Sequence, residues 1–352
     1  AEADLGSHWG PVTMVIDQEW EDAAGFEMFL QQKIPSHLWK IMRKDEPGAV
    51  KVRKSMVTAL LPSGAELPFC EKDLRPLIRE LKYRTDVQPP SALARRRLAE
   101  RFSSLRARDG AETDSSAAWW EGREDAPSEV AAALREEGFA VVDDFLPPEV
   151  AEELRRAMLE GSQTGEMEWT EGATDGAEVP VGLPHRGDMI SWVPIASRDD
   201  GEKWQPFRRV SGVLRRFLQR LAAGPLPEVA DIRWFSEPMA TVYPGFQRAR
   251  YFRHVDNGSG NGRLLTAIVY ANPGWTEKVD GGQLRIFQPG VENMEVKYEV
   301  EPLMNRLVLF WADDRNPHEV ISTRRDRLAL TVWFYSEDPD GYAGRKLEPV
   351  EI

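Results

Sequence analysis

From residue 128 onward, short apolar segments alternate with turns rich in glycine and proline. Apolar residues recur there at every second position, which is typical of half-buried strands. The pattern predicts strands at 139–143, 189–193, 240–243, 265–270, 283–287, 296–300, 306–310 and 328–335. Ser128 is expected to cap a helix that Gly138 ends, and Pro147 with Pro148 opens a second helix, to about residue 159. These elements predict an α+β fold that is mainly β: a jelly roll with helices packed on one face.

The amino-terminal region has a mixed pattern that predicts a small α+β unit. Its expected strands and helices lie at 12–16, 23–34, 50–61 and 71–81. An Arg-rich helix with one apolar side follows at 91–108, either docked on the neighbouring domain or free as a binding arm. We therefore divide the chain into a small unit of unknown role (1–88), an Arg-rich helix and polar linker (89–127), a large β-rich domain (128–340) and a tail (341–352).

Composition narrows the range of functions. The net charge of -13 and the pI near 5.1 argue against a nucleic-acid partner, because such proteins usually present a basic face to phosphates. No apolar run approaches the ~20 residues that span a bilayer, and no signal peptide is visible, so we expect no membrane partner. Cys70 is the only cysteine, which excludes an intrachain disulfide and favours a reducing compartment, cytoplasm or nucleus. The oligomeric state does not follow from the sequence.

Candidate metal ligands lie in two short motifs of the β-rich domain. His254 and Asp256 alternate with Val255, so at a strand end both side chains point to the same side. His318 comes from a distant segment, after Pro317. Two imidazoles and one carboxylate on one face of a metal leave the opposite face open, which non-haem Fe(II) needs to hold a chelating acid and O2. The same ligands accept Mn, Co or Ni, and a His-x-Asp pair alone is a weak motif.

Arg327 adds a second kind of binding group. It lies nine residues beyond His318, on a strand whose alternation places Arg327, Ala329 and Thr331 on one side. A guanidinium buried at the end of a barrel needs a carboxylate partner, and its planar fork suits a bidentate acid. That partner is either an acidic co-substrate or a protein carboxylate in a structural salt bridge.

The residues around these motifs resemble one known family. The resemblance is carried by Val141-Val142-Asp143-Asp144-Phe145-Leu146, Arg186-Gly187-Asp188-Met189-Ile190-Ser191-Trp192, Tyr243-Pro244-Gly245, Tyr251-Phe252-Arg253-His254-Val255-Asp256-Asn257, Gly281-Gly282-Gln283-Leu284-Arg285-Ile286-Phe287, Phe310-Trp311, Arg315-Asn316-Pro317-His318-Glu319-Val320 and Thr331-Val332-Trp333. Over about residues 128–336 the chain closely resembles the hypoxia-inducible-factor prolyl hydroxylases. The residues before 128 lie outside the resemblance.

The resemblance implies a double-stranded β-helix that holds Fe(II) and 2-oxoglutarate. By carry-over, the catalytic iron ligands are His254, Asp256 and His318. Arg327 is expected to bind the distal carboxylate of 2-oxoglutarate, assisted by the Tyr270 hydroxyl. The remaining residues expected to line the pocket are Tyr243, Leu284, Thr331 and Trp333.

Three further residues match positions linked to the substrate loop in that family, namely Arg186, Asp188 and Arg263. We expect an ion pair between Asp188 and Arg263, which serves substrate binding or only holds the loop. The loop at 161–185 is rich in glycine and acidic residues and has its own sequence, so the identity of the substrate stays open.

The activity implied by the resemblance is C4 hydroxylation of a prolyl residue in a partner protein or peptide, with O2 as co-substrate, ascorbate as reductant and a role in oxygen sensing. Asp256 favours hydroxylation, because a related halogenase replaces this carboxylate with a small residue. An oxygenase acting on a free amino acid or small metabolite is the alternative. A non-catalytic binding module is a third reading, against which the intact ligands and Arg327 argue.

Overall fold

The structure is a computed structural model that describes residues 12–16, 39–43, 57–60, 66–69, 89–106, 117–164, 167, 170–171, 186–195, 202–258, 260–290, 293, 295–336 and 347–349. The chain divides into two compact units, with a boundary between Gln88 and Pro89. The first unit contains the strands β1 (Val12–Ile16), β2 (Trp39–Arg43), β3 (Val57–Leu60) and β4 (Glu66–Phe69). They form one sheet in the order β2-β1-β3-β4, in which only β1 and β2 are parallel.

The second unit contains the predicted β-rich domain. Its described helices are α1 (Ala92–Ser103), α2 (Asp125–Glu137), α3 (Pro148–Thr164), α4 (Gln205–Ala222) and the short α5 (Glu277–Asp280). Its strands are β5 (Phe139–Val142), β6 (Thr170–Glu171), β7 (Met189–Trp192), β8 (Trp234–Ser236), β9 (Met239–Tyr243), β10 (Tyr251–His254), β11 (Arg263–Tyr270), β12 (Leu284–Phe287), β13 (Val296–Val300), β14 (Leu307–Trp311), β15 (His318–Val320), β16 (Arg327–Tyr335) and β17 (Leu347–Pro349).

Two antiparallel sheets build this domain. The smaller has the order β10-β15-β12-β13, and the larger has the order β5-β14-β11-β16-β9-β7-β6, with β8 and β17 attached beside β16. Side chains of both sheets, such as Ile286 of the smaller and Phe310 of the larger, belong to one buried core. This is the expected jelly-roll arrangement, and the predicted fold class is confirmed.

Helices α2, α3 and α4 contribute buried apolar faces to the same core. Helix α4 was not expected from the sequence, although Phe207, Val210, Leu214, Phe217 and Leu221 recur at helical spacing and are all buried. The helical spacing of these residues is present in the sequence, and the prediction omitted it.

Two helix boundaries differ from the prediction. Ser128 does not cap α2, which begins three residues earlier at Asp125 with Glu124 in the capping position. Pro127 lies in the first helical turn, where its missing N–H costs no hydrogen bond, and Asp125 places a negative charge at the positive end of the helix dipole. Helix α3 continues past residue 159 to Thr164. The predicted helices at 23–34 and 71–81 lie outside the described residues.

Helix α1, the Arg-rich helix, is docked on the β-rich domain. Ser91 caps it by accepting a hydrogen bond from the Ala94 amide at 3.1 Å, and Phe102 packs on Phe139 with ring centroids 5.4 Å apart. Its Arg97 forms an ion pair with the buried Glu137 at 3.1 Å.

In the described part of the chain, no helix has the length and apolar character needed to cross a bilayer.

Candidate active site

The sheet register brings the two predicted histidine ligands together. In the pairing of β10 with β15, His254 is the direct cross-strand partner of His318, and their ring centroids are 4.2 Å apart. Asp256 follows two residues after His254, at the end of β10. One ligand atom from each of the three residues lies within 4.8 Å of the others, which is close enough for all three to bind a single metal ion. The predicted cluster is therefore present in the fold.

Both imidazoles are oriented through their Nδ1 atoms. His254 Nδ1 is 2.7 Å from the Phe252 carbonyl oxygen, and His318 Nδ1 is 2.9 Å from the Asn316 carbonyl oxygen. A carbonyl only accepts, so each Nδ1 carries the proton and each Nε2 keeps its lone pair for a metal. The Nε2 atoms of His254 and His318 lie 3.5 and 3.9 Å from Asp256 Oδ1.

The two oxygens of Asp256 have different surroundings. Its Oδ2 accepts hydrogen bonds from the Thr266 hydroxyl at 2.6 Å and from Trp333 Nε1 at 3.1 Å. Its Oδ1 is the oxygen that approaches both histidines. The arrangement therefore presents Asp256 as a one-oxygen ligand, and together with the two Nε2 atoms it offers three donors on one face. Two imidazoles and one carboxylate without thiolate suit Fe(II).

Electrostatics favour the metal-binding forms of Asp256 and His318 at neutral pH. Burial would raise the pKa of Asp256, but the interactions of its carboxylate with His254, His318 and Arg263 outweigh burial and hold that pKa far below its ordinary value. Burial lowers the pKa of His318 to about 4, with repulsion from His254 as a second cause. A neutral imidazole and an ionised carboxylate are the forms that bind a metal.

Arg327 is buried without a carboxylate partner among the described residues. Only 2% of it is exposed, and its Nε donates to the Gly282 carbonyl at 2.7 Å while its Nη2 donates to the Tyr270 hydroxyl at 3.1 Å. Among the described residues, its other N–H groups have no carboxylate partner, so no salt bridge within that part of the chain accounts for the buried charge. A planar guanidinium fork in this position suits a bidentate acid group.

Two tyrosine rings lie against the Arg327 guanidinium. The Arg327 guanidinium lies 4.9 Å from the Tyr243 ring centroid and 4.8 Å from that of Tyr270. Burial raises the pKa of both phenols, so each stays protonated and can donate a hydrogen bond. Gly282 completes the site: its φ of +72° favours glycine, and a Cβ there would lie 3.1 Å from Arg327 Cδ.

The other predicted pocket residues occupy consistent places. Thr331 and Trp333 lie on β16 at even spacing from Arg327, so all three share a face of the larger sheet. Leu284, on β12, pairs with Val320 of the strand that carries His318. All are buried. The roles assigned to them as pocket-lining residues stay predictions.

Known proteins are similar to this chain in sequence and in fold. The sequence model of the 2OG-Fe(II) oxygenase superfamily matches residues 239–335, which include the three candidate metal ligands and Arg327. The human prolyl hydroxylase EGLN3 is 34% identical over 220 residues, covering 62% of this chain and 86% of that protein. The chain belongs to the hypoxia-inducible-factor-type prolyl hydroxylase family.

Two further relatives show how much of each chain the similarity covers. Mouse Egl nine homolog 1 is 34% identical over 211 residues, which are 59% of this chain but only 49% of that protein, so the chain spans about half the length of that relative. A solved structure from Trichoplax adhaerens, of a prolyl hydroxylase in complex with a hypoxia inducible factor oxygen degradation domain peptide fragment, has a TM-score of 0.54 and 28% identity. It covers 66% of this chain and is itself covered completely.

Membership of the prolyl hydroxylase family implies Fe(II) as the metal and 2-oxoglutarate and O2 as co-substrates. The side chains fit these groups on independent grounds. The His254, Asp256 and His318 donors have the composition that Fe(II) prefers. The Arg327 fork, buried beside the Tyr270 hydroxyl, provides the cationic site that a dicarboxylate needs.

One prediction about the substrate loop is wrong. The Asp188 carboxylate does not pair with Arg263; instead it accepts two hydrogen bonds from Arg186, at 2.6 and 2.5 Å. One residue separates that pair in sequence, and an extended segment places alternate side chains on the same side. Arg263 lies 4.4 Å from the Trp333 ring centroid and donates to the Asp256 carbonyl at 3.1 Å. It therefore holds the backbone of the candidate ligand Asp256.

Sequence reasoning missed the residues that orient the ligands. Thr266 and Asn316 had no recognised role, yet each makes a hydrogen bond to a candidate metal ligand. Alternation along β11 could have placed Thr266 on the face of Tyr270, since the two are four positions apart. No local pattern shows that this face meets Asp256.

Proposed function

We propose that this chain is an Fe(II)- and 2-oxoglutarate-dependent oxygenase that hydroxylates C4 of a prolyl residue in a partner protein or peptide, and that it responds to oxygen supply. The observation that carries the proposal is Arg327, a buried cation whose free N–H groups have no carboxylate partner among the described residues. Family membership supports the prolyl substrate. The Trichoplax relative was solved with a peptide of this kind.

The side chains divide the work between two ends of the pocket. His254, Asp256 and His318 hold the metal through one face, so the opposite face is open to the keto acid and O2. Fe(II), when bound, supplies the oxidising chemistry that couples loss of CO2 from 2-oxoglutarate to hydroxylation of the substrate.

At the other end, the Arg327 fork receives the distal carboxylate of 2-oxoglutarate. The Tyr270 hydroxyl accepts from Arg327 Nη2, which leaves its own proton free to donate to the same carboxylate. Buried side chains between the two ends, including Thr331, exclude water and fix the co-substrate in one orientation. We include ascorbate in the proposal as the reductant that keeps iron in the Fe(II) state.

The test is turnover of 2-oxoglutarate to succinate by the Fe(II)-loaded protein in air. Proline-containing peptides from candidate partners are compared with the same peptides carrying alanine in place of proline, and His254→Ala provides the inactive control. The proposal predicts that only the proline peptides raise turnover and that they gain the mass of one oxygen atom at C4. Turnover with no peptide product would favour the small-molecule alternative, and no turnover with no 2-oxoglutarate binding would reject the oxygenase assignment.

A further inference from the structure

The backbone carbonyl that orients His318 belongs to a residue whose side chain is itself fixed. Asn316 is 1% exposed, and its Nδ2 donates to the Trp311 carbonyl and to the Gly138 carbonyl, both at 2.9 Å. The backbone carbonyl oxygen of Asn316 is 2.9 Å from His318 Nδ1. One residue thus connects the end of β14, the end of α2 and a candidate metal ligand.

The two acceptors of Asn316 are rigid parts of the fold. Gly138 ends α2 in the left-handed region with a φ of +83°, and its carbonyl also accepts from the Trp311 amide at 3.1 Å. The Trp311 indole nitrogen in turn donates to the Leu134 carbonyl at 2.9 Å. The carboxamide of Asn316 is therefore held between two points that cannot move independently.

We infer that Asn316 is a positioning residue for His318: its side chain fixes the peptide whose carbonyl holds His318 Nδ1, and so aims Nε2 at the metal. This rests on the proposed function, because it presumes that His318 binds iron. His254 is oriented in a different way, by the Phe252 carbonyl on its own strand. Groups that orient metal-ligating histidines contribute about 10- to 100-fold to metal affinity.

The structure offers a matched control in Asn305. Asn305 is also buried, donates from Nδ2 to the Leu146 carbonyl at 2.8 Å and accepts from the Leu146 amide at 2.8 Å. It therefore joins two segments by buried side-chain hydrogen bonds, as Asn316 does, but none of its bonds leads to a candidate metal ligand. Asn305 also has a φ of +58°, where asparagine is favoured over alanine, so Asn305→Ala is expected to destabilise the fold at least as much as Asn316→Ala while the metal site stays intact.

The experiment measures Co(II) affinity by titration of the metal-free full chain, together with the visible spectrum of the Co(II) form and the melting temperature in EDTA. Asn316→Ala and Asn305→Ala are both expected to lower the melting temperature, Asn305→Ala by at least as much. Only Asn316→Ala is expected to weaken Co(II) binding, by about 10-fold or more, and to change the spectrum. Asn316→Asp has the same shape without the Nδ2 donor and is expected to behave like Asn316→Ala.

Each outcome has a separate meaning. Wild-type Co(II) affinity and spectrum in Asn316→Ala or Asn316→Asp would overturn the positioning role while the proposed function stands. Failure of the wild-type chain to bind Co(II) would overturn the proposed function itself. If Asn316→Ala does not fold, Asn316→Ser, which keeps one short donor, carries the same comparison, with an affinity expected below that of wild type.

Discussion

The Thr266 hydroxyl donates to Asp256 Oδ2 at 2.6 Å, whereas Asp256 Oδ1 lies 3.5 Å from His254 Nε2. Thr266 is on β11 of the larger sheet and Asp256 follows β10 of the smaller, so this hydrogen bond links the two sheets at the metal site. The carboxylate is thereby held so that a single oxygen faces the histidines. A change at Thr266 should affect the ligand without altering its chemical identity.

Replacing Thr266 by valine is expected to weaken metal binding by about 10-fold or more, because the side chain keeps its shape but loses the hydrogen bond that orients Asp256. Titration of the metal-free protein with Mn(II) checks this. Thr241→Val is the matched control, since Thr241 Oγ1 is buried and has no hydrogen-bond partner in the described part of the chain. Equal affinities for the two variants would contradict the role of Thr266.

Arg327→Lys is expected to raise the apparent KM for 2-oxoglutarate by roughly 10- to 100-fold, because a point charge replaces a bidentate fork and hydrogen bonds to charged groups contribute about 1.5–3 kcal/mol. Steady-state succinate formation at varied 2-oxoglutarate measures the change. Arg306→Lys serves as the control: Arg306 is also largely buried but is satisfied internally by Asp143, at 2.5 and 2.9 Å. An unchanged KM in Arg327→Lys would reject Arg327 as the anchor.

The Arg186 and Asp188 pair is expected to couple energetically, and the Asp188 and Arg263 pair is not. Double-mutant cycles with Asp188→Asn, Arg186→Gln and Arg263→Gln, followed by urea unfolding, measure both couplings. The buried, doubly hydrogen-bonded pair should give more than about 1 kcal/mol, and the effects of changes at Asp188 and Arg263 should add within about 0.5 kcal/mol. The reverse order would restore the ion pair that the sequence suggested.

The metal-free protein is expected to lose stability as the pH falls from about 6.5 to about 4. Burial lowers the pKa of His318 from 6.5 to about 4, so the unfolded chain binds a proton in this window that the native protein does not. Stability therefore rises with pH there, by at most about 3 kcal/mol. Urea unfolding in EDTA at several pH values measures the free energy, and His318→Gln should flatten this part of the curve. A wild-type curve as flat as that of the variant would contradict the shift.

Two of the three candidate metal ligands were predictable from local information. His254 and Asp256 are two residues apart on a strand end, where alternation alone fixes their common side. His318 could be added only because residue types and a family resemblance pointed to it, since no spacing rule joins residues 64 positions apart. The register between β10 and β15 supplies the rest.

Other features depend on tertiary contacts that a pattern does not encode. The sequence offers Asp188 two possible ion-pair partners, Arg186 and Arg263. Only the path of the backbone selects Arg186. The role of Asn316 requires that α2 and β14 end beside each other, which a linear pattern cannot show. The end of α2 is different: Gly138 marks it in the sequence, because its left-handed conformation favours glycine.

The buried guanidinium of Arg327 also sets a limit for protein engineering. A desolvated cation destabilises a fold, so an apolar residue of similar volume at this position is expected to raise the melting temperature of the ligand-free domain. Selection of variants for heat resistance alone would therefore favour loss of this side chain, and with it loss of catalysis. Screens for heat-resistant variants should therefore include a dicarboxylate. A dicarboxylate that binds Arg327 stabilises the variants that retain this side chain, so heat resistance is then selected together with ligand binding.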